Sequence, residues 1–281
     1  MNLRICSAAP LCLVFAGLAL TMAPAALAQH EAGVVGGPSK YLYLSNVELK
    51  PNQDGAYAKI QSEEVEALRA AHAPSHYVAM WPVTGGTNVL YSHGFDSFAD
   101  LQKNHDATMA MTKLEDTMRT DNAEEAPLIA ARHSSIYSYE KDLSLGKGLD
   151  LSKMRFMRIL LFHVRSGHSQ DFEHLVKLFA KAYQSSIPEA RWATFQKMYG
   201  EGSGSTYIVV TPMESLSYVD AMNDNSKKFR DAVGEDQLET MRKGMAAAVE
   251  SSQADLFAFG AKISYVPDSW LTSSPDFWGK K

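Results

Sequence analysis

Five side chains on predicted β-strands have the residue types that a small-molecule pocket needs: Tyr43, Tyr91, His93, Tyr137 and Arg158. A histidine changes its charge near neutral pH, so it can serve as an acid, a base or a ligand contact. An arginine binds a carboxylate or phenolate oxygen. A tyrosine joins an apolar ring to a hydroxyl group. An apolar wall with a few such polar groups is typical of a binding site for a small apolar or aromatic molecule.

Side-chain alternation along the strands decides which of these residues share a face. In residues 41–49, Leu42 and Leu44 are expected to face the helices, so Tyr43 is expected to face the interior of the sheet structure. The same reasoning predicts an interior position for the other four candidates, Tyr91, His93, Tyr137 and Arg158.

Each candidate also has a purely structural explanation. His93 precedes Gly94 at a predicted strand end, where its imidazole would satisfy a neighbouring backbone group. Arg158 would form an ion pair, and the tyrosines would fill the interior and hydrogen-bond to one another. No nucleophile motif resolves the choice, because residues 200–204 (GEGSG) lack the G-x-S-x-G spacing and a P-loop lysine. Catalytic residues therefore stay unassigned.

The charged residues and histidines exclude several kinds of site. The 27 Lys and Arg residues form no basic run and the net charge is −5, so nucleic acid is not an expected partner. The acidic run Glu63, Glu64 and Glu66 is interpreted as a solvated helix face. His72 and His76 have i, i+4 spacing, but Pro74 between them opposes one continuous helix. We therefore expect no metal site.

The first 28 residues are typical of a secretory signal peptide. Arg4 precedes a nearly continuous apolar or small stretch over residues 5–20, and Ala26-Leu27-Ala28 forms an A-x-A cleavage site. Cleavage after Ala28 removes both cysteines and leaves roughly 250 residues, enough to bury a core without disulfides. The sequence therefore predicts a periplasmic or secreted protein with no stable membrane insertion after cleavage.

Three blocks of sequence occur twice in the same order. Residues 41–60 match 157–176, residues 76–101 match 191–222, and residues 128–144 match 246–264. In the first pair of blocks, Tyr57 corresponds to Phe172. Each copy is predicted to run strand, helix, strand, strand, helix, strand, which indicates a tandem duplication.

The repeat fixes the predicted domain boundaries. The first unit covers residues 40–140, the second covers 155–266, and a C-terminal tail covers 267–281. The long second helical region of each copy is predicted to break once, near residues 121–125 and near Gly234. The tail contains Trp270, Phe277 and Trp278, which either lie along the domain surface or contact a partner.

The repeated unit resembles the dimeric α+β barrel superfamily. The resemblance rests on the order of elements and on turns such as Ser166-Gly167-His168 before Ser169-Gln170-Asp171-Phe172. The antibiotic-biosynthesis-monooxygenase, NIPSNAP-like and stress-responsive barrel groups belong to this superfamily. The resemblance implies an α+β fold in which two ferredoxin-like units of one chain form a pseudo-dimeric barrel, with a pocket in or beside it.

Two function classes follow, because that superfamily contains enzymes, binding proteins and proteins without an assigned role. The first is an exported protein that binds a small apolar or aromatic molecule without turnover and without a cofactor. The second is a monooxygenase-like enzyme that is either cofactor-independent or uses haem, a cofactor that some barrel relatives bind. A monomer and a homodimer are both compatible with the sequence.

Overall fold

The computed structural model describes residues 38–146, 148, 150–202 and 204–279. The predicted signal peptide, residues 1–28, lies outside the described residues. Within them the strands are β1 Tyr41–Leu49, β2 Val78–Pro82, β3 Asn88–Phe95, β4 Ile129–Tyr139, β5 Phe156–Val164, β6 Ala193–Tyr199, β7 Ser205–Met213 and β8 Val249–Phe259. The helices are α1 Asp54–Ala70, α2 Phe98–Met109, α3 Thr112–Glu125, α4 Ser169–Ser186, α5 Ser217–Val233, α6 Glu235–Ala248, α7 Asp268–Ser273 and α8 Pro275–Trp278.

The strands close into an antiparallel barrel in the order β1-β3-β2-β8-β5-β7-β6-β4. We call β1–β4 with α1–α3 the first half, and β5–β8 with α4–α6 the second half. Both halves have the same strand order. Strand pairs β2–β8 and β4–β6 join the halves, with Met80 opposite Phe259 and Tyr139 opposite Phe195.

Aliphatic and aromatic side chains from both halves fill the barrel. Leu90, Tyr137, Ile159 and Phe257 belong to one buried cluster, against which Leu42, Leu44 and Leu161 pack. Tyr137 therefore lies inside the barrel, as the sequence analysis expects. The expectation that Leu42 and Leu44 face the helices is wrong.

Tyr43, Tyr91 and His93 face the helices of the first half, which corrects their predicted interior positions. The Tyr91 hydroxyl lies 2.9 Å from the Tyr57 hydroxyl of α1, so this side of β3 is the helix side. Alternation separates the two faces of a strand. It does not show which face is interior when helices cover the other one, because both faces are then largely apolar.

Arg158 is also on the helix side, in the second half. Its neighbour is Tyr183 of α4, and burial lowers the pKa of its guanidinium while Tyr183 opposes that change. Further along β5, Phe162 contacts Phe172 of α4 at a ring distance of 5.4 Å. Arg158 therefore does not lie across a barrel interior from His93.

The helical region after β3 breaks earlier than predicted. Ser97 caps α2 by accepting a hydrogen bond from the backbone N–H of Asp100 at 3.0 Å, and α2 ends at Met109. The predicted break at residues 121–125 is wrong, because Asp121 and Glu125 are buried parts of a continuous α3. In the second half the break lies at Gly234, as predicted, where φ is 83°.

The C-terminal tail packs along the barrel. Trp270 and Trp278 are each 2% exposed and belong to the same buried cluster as the barrel interior. The Trp278 Nε1 donates to the carbonyl oxygen of Ser152 at 2.7 Å, and Arg155 lies 4.1 Å from the centre of the Phe277 ring. None of the helices in the described part of the chain has the length and apolar character that a bilayer span requires.

Candidate functional site

A cavity of about 880 Å³ lies in the first half, between the helix side of the sheet and helices α1–α3. Three of the five predicted site residues line it: Tyr43, Tyr91 and His93. Tyr137 and Arg158 do not. The remaining walls come mainly from one stripe of α1 and from the inner side of α2: Tyr57, Gln61, Glu64, Leu68, Phe98, Leu101, Gln102, His105 and Met109.

His93 presents a hydrogen-bond acceptor that has no donor. Its Nδ1 lies 2.6 Å from the carbonyl oxygen of His76, and because a carbonyl only accepts, Nδ1 carries the proton. Its Nε2 is buried and has no hydrogen-bond partner among the described residues. Burial lowers the pKa of His93, against the opposing effect of the His76 hydrogen bond, so the ring is neutral at neutral pH. A buried polar atom of this kind normally finds a partner.

A tyrosine pair and an amide connect the sheet to α1. The Tyr91 hydroxyl lies 2.8 Å from Gln61 Oε1, to which it donates, and 2.9 Å from the Tyr57 hydroxyl. Burial raises the pKa of Tyr57 to about 12, and it raises the pKa of Tyr91 well above its ordinary value. Both hydroxyl groups therefore keep their protons at neutral pH.

Two carboxylates approach the same amide, but only one has a counter-ion. Gln61 Nε2 donates to Glu125 Oε2 at 2.9 Å and to Glu64 Oε2 at 3.4 Å. Arg132 pairs with Glu125 at 2.6 Å. Among the described residues, Glu64 has no comparable cation. Burial, followed by repulsion from Glu125 and Asp121, raises the pKa of Glu64 to about 7. A side chain that sequence analysis placed on a solvated face is thus a titrating group of the cavity.

The corresponding strand positions of the second half carry different side chains. In the first half, the strand register pairs Ser45 with Tyr91 and Tyr43 with His93. In the second half, the same register pairs Leu160 with Val209 and Arg158 with Thr211. Tyr43, Tyr91 and His93 therefore have no tyrosine or histidine counterpart at these strand positions of the second half.

The corresponding helix positions of the second half are filled by aromatic rings. Phe179 and Tyr183 follow Phe172 on α4 at the same spacing at which Glu64 and Leu68 follow Tyr57 on α1. Both rings stack on Phe229 of α5, with ring-centre distances of 5.9 and 4.3 Å. The first half has a carboxylate and a leucine where the second half has this stack, and this difference leaves room for the cavity.

Sequence reasoning missed Gln61, Glu64, Glu125 and Arg132. The signal for the first two was present, because Tyr57, Gln61, Glu64 and Leu68 follow the spacing of one helix face. Glu125 and Arg132 lie on either side of the α3–β4 connection, and no local pattern indicates that they meet.

The donor set fits neither a metal site nor haem. In the described ranges, no group of three or more His, Cys, Asp or Glu side chains is arranged to hold a metal ion. His93 Nε2 has the free lone pair that an axial haem ligand needs. However, Nε2 is buried out of reach of a group bound in the cavity, and Arg132, the lining's cation apart from the histidines, is engaged by Glu125 and not free for a haem propionate. The cavity therefore does not fit haem.

Comparison with known proteins gives a fold but no close relative. No family model and no curated protein sequence matches the chain. A candidate monooxygenase from Fusobacterium nucleatum matches with a TM-score of 0.51 and 10% identity, over 78% of this chain and 91% of that one. An anthrone oxidase-like protein matches with a TM-score of 0.50 and 12% identity, over 79% and 92%.

A haem-binding protein from Thermus thermophilus matches more weakly, with a TM-score of 0.41 and 11% identity over 90% of this chain and 100% of that one. At these identities the likeness concerns the fold, and the weaker match supports no argument about a site. The neighbours are dimeric α+β barrel proteins, as the sequence resemblance implied. The chain therefore has the dimeric α+β barrel fold, with an eight-stranded antiparallel barrel.

Proposed function

We propose that this protein binds a small, largely apolar or aromatic molecule in the cavity of the first half. The observation that carries the proposal is the cavity of about 880 Å³ itself, which has an aromatic and aliphatic wall with the carboxylate of Glu64 beside it, while its counterpart in the second half is filled by aromatic rings. A ligand with an O–H or N–H group would donate to Glu64, which receives only one long hydrogen bond, 3.4 Å from Gln61, among the described residues. Its apolar body would contact the aromatic and aliphatic wall. In such sites apolar side chains usually bury the ligand and a few polar groups fix its orientation.

A cavity-filling variant tests this function. The double substitution Glu64→Phe and Leu68→Tyr copies Phe179 and Tyr183, so the new rings should occupy the cavity. We expect saturable binding of naphthylmethanol to the wild type, and its loss in the filled variant without loss of the folded state. Glu66→Gln, at an exposed position of the same helix, is the matched control and should bind normally. Equal binding by the filled variant would show that the cavity is not the site.

A cofactor-independent oxygenase is the second candidate. It is supported by Glu64, whose pKa of about 7 suits it to take a proton from a bound molecule at neutral pH. Two structural neighbours are described as a candidate monooxygenase and an anthrone oxidase-like protein, which is compatible with this reading. Oxygen consumption with a panel of phenols and quinols, abolished by Glu64→Gln, would support the enzyme. Absence of oxygen uptake with intact ligand binding would support the binding protein.

Haem use is tested separately by titration with haemin. Because His93 Nε2 is buried and Arg132 is already paired with Glu125, we expect no Soret shift that depends on His93. A shift that His93→Ala removes would support the haem-using alternative instead.

We infer that the two halves are ferredoxin-like units, residues 40–140 and 155–266, which arose by tandem duplication. The repeated sequence blocks, the shared strand order and the matching register of β1–β3 and β5–β7 support this origin. If so, the two units diverged after the duplication. The first unit has the cavity, and in the second unit the rings of Phe179, Tyr183 and Phe229 occupy the corresponding space.

We also propose that the protein is exported and cleaved after Ala28, on the evidence of the A-x-A site. Intact-mass spectrometry of protein from the periplasm or the medium should give a chain that begins at Gln29. A chain that retains Met1 in the membrane fraction would contradict this proposal.

A further inference from the structure

We propose that the ligand of the first-half cavity is an organic cation, an ammonium group on an aromatic body, and that Glu64 is its counter-ion. This inference rests on the proposed binding function and specifies its ligand class. It departs from the sequence-based expectation of an anionic ligand held by Arg158, because Arg158 lies in the helix layer of the other half.

The charges around the cavity are unbalanced. Apart from histidines and tyrosines, its lining includes three ionisable side chains: Glu64, Glu125 and Arg132. Arg132 and Glu125 neutralise each other across 2.6 Å. Ionised Glu64 therefore leaves a net negative charge against the cavity, and a half-buried charge of this kind is stabilised by a partner. A cationic ligand would provide that partner.

The acceptor of the cavity that lacks a strong donor is Glu64. It receives only the long 3.4 Å hydrogen bond from Gln61 among the described residues. Tyr91 donates to Gln61, whose amide donates in turn to Glu64 and Glu125, so these side chains form one polar strip from β3 to α1. An ammonium group has three donors and no acceptor, which matches this strip.

Aromatic rings surround the same strip. Tyr77 and Tyr91 meet edge to face at a ring distance of 5.6 Å, and both line the cavity together with Tyr57 and Phe98. Aromatic faces attract organic cations and contribute most where water is excluded. A carboxylate ligand, by contrast, would meet the charge of Glu64.

The pH dependence of binding follows from the groups around Glu64. These are Gln61 from α1, His105 from α2, Asp121 and Glu125 from α3, Arg132 from β4, His76 before β2, His93 from β3, and the tyrosine hydroxyls of residues 57, 77 and 91. Burial raises the pKa values of Tyr77 and Tyr91 well above the ordinary value, so these hydroxyls do not titrate near neutrality.

Affinity for an amine should therefore rise with pH as Glu64 ionises. The affinity should fall again only when the amine loses its own proton, at about pH 9 to 10.

Three probes with one ring system test the proposal: naphthylmethylamine, naphthylmethanol and naphthoate. At pH 8 the amine should bind about tenfold more tightly than the alcohol, and the acid most weakly, because a charge-assisted hydrogen bond is roughly twice as strong as a neutral one. At pH 5.5 the advantage of the amine should disappear in the wild type.

Glu64→Gln should lower the affinity for the amine about tenfold at pH 8 and change the affinity for the alcohol by less than about twofold. Glu66→Gln is the control and should change neither.

The outcomes separate this inference from the proposed function. Saturable binding of the alcohol with no preference for the amine, or an amine preference that survives in Glu64→Gln, overturns the cation proposal and leaves the binding function intact. Failure of all three probes, or undiminished binding in the cavity-filled Glu64→Phe, Leu68→Tyr variant, overturns both. The pH series on the wild-type protein gives its answer even when a variant folds poorly.

Discussion

Glu64 and His93 line the same cavity, and burial shifts their pKa values in opposite directions. The pKa of Glu64 rises from 4.5 to about 7, so between these values the unfolded chain loses a proton that the folded chain keeps. Its contribution to stability is therefore present below about pH 4.5 and is lost as the pH rises towards 7. The pKa of His93 falls below 6.5, so below that pH the unfolded chain takes up a proton that the folded ring resists. Its effect is a loss of stability as the pH falls.

Glu64→Gln isolates the carboxylate contribution. Because the amide is uncharged and nearly the same size, we expect the variant to exceed the wild type in free energy of unfolding by on the order of 2 kcal/mol at pH 8, and to show almost no difference at pH 4. Urea unfolding at a series of pH values measures this. Glu66→Gln should give no such pH-dependent difference, since that residue is exposed. A change that is the same at every pH would mean that Glu64 acts through packing alone.

At the scale of single elements, the sequence predicted which residues share a face better than which layer that face meets. Alternation in β1 and β3 correctly grouped Tyr43, Tyr91 and His93, and the structure brings them into one cavity. The assignment of the two faces to barrel interior and helix layer was wrong. Leu42 and Leu44 pack inside the barrel, and Tyr91 reaches its polar partner Gln61 on the helix side of the sheet. Strand periodicity carries no information about which of two covered faces is interior. The position of Arg132 beside Glu125 likewise depends on the docking of α3, which local sequence does not specify.

Helix α2 should be the least stable of the helices that surround the cavity. It contains no buried residue, and its apolar side chains Leu101 and Met109 line the cavity instead of a packed core. Only Phe98, at its first turn, packs against the rings of Tyr41, Phe95 and Tyr199. The Ser97 cap therefore matters, and Ser97→Ala should cost about 1 kcal/mol of local stability. Hydrogen exchange should be faster in α2 than in α4 of the wild type, and faster still in α2 of the variant.

The control for this prediction is Ser62→Ala, which changes a serine inside α1 whose hydroxyl bonds to the carbonyl of Lys59. It should leave exchange in α2 unchanged. Equal exchange in α2 and α4 of the wild type would contradict the prediction, since it would require α2 to be held by contacts other than its cap. A ligand that fills the cavity should slow exchange in α2, because it would supply the packing that this helix lacks.

At the scale of the whole molecule, the tandem repeat that we propose is compatible with the closed barrel. The sequence blocks predicted two similar units whose inner faces need mutual cover, and the barrel closes only through the pairs β2–β8 and β4–β6. What the repeat did not predict is the difference between the halves. That difference arises from individual replacements, such as Glu64 where the second half has Phe179, and these leave the order of elements unchanged.

Neither half should fold alone as a stable monomer. Separation would leave β2 and β4 of the first half without their cross-half partners, and it would expose Leu42, Leu44 and Leu90 to water. We expect residues 29–146 and 147–281, expressed separately, to aggregate or to form homodimers, and a mixture of the two to recover a cooperative melt. Light scattering coupled to size exclusion, together with thermal unfolding, measures both. A monomeric half with a cooperative melt would contradict the prediction. A homodimer of the first half would carry two cavities, so it should bind naphthylmethanol with twice the stoichiometry per barrel, whereas a homodimer of the second half should not bind it.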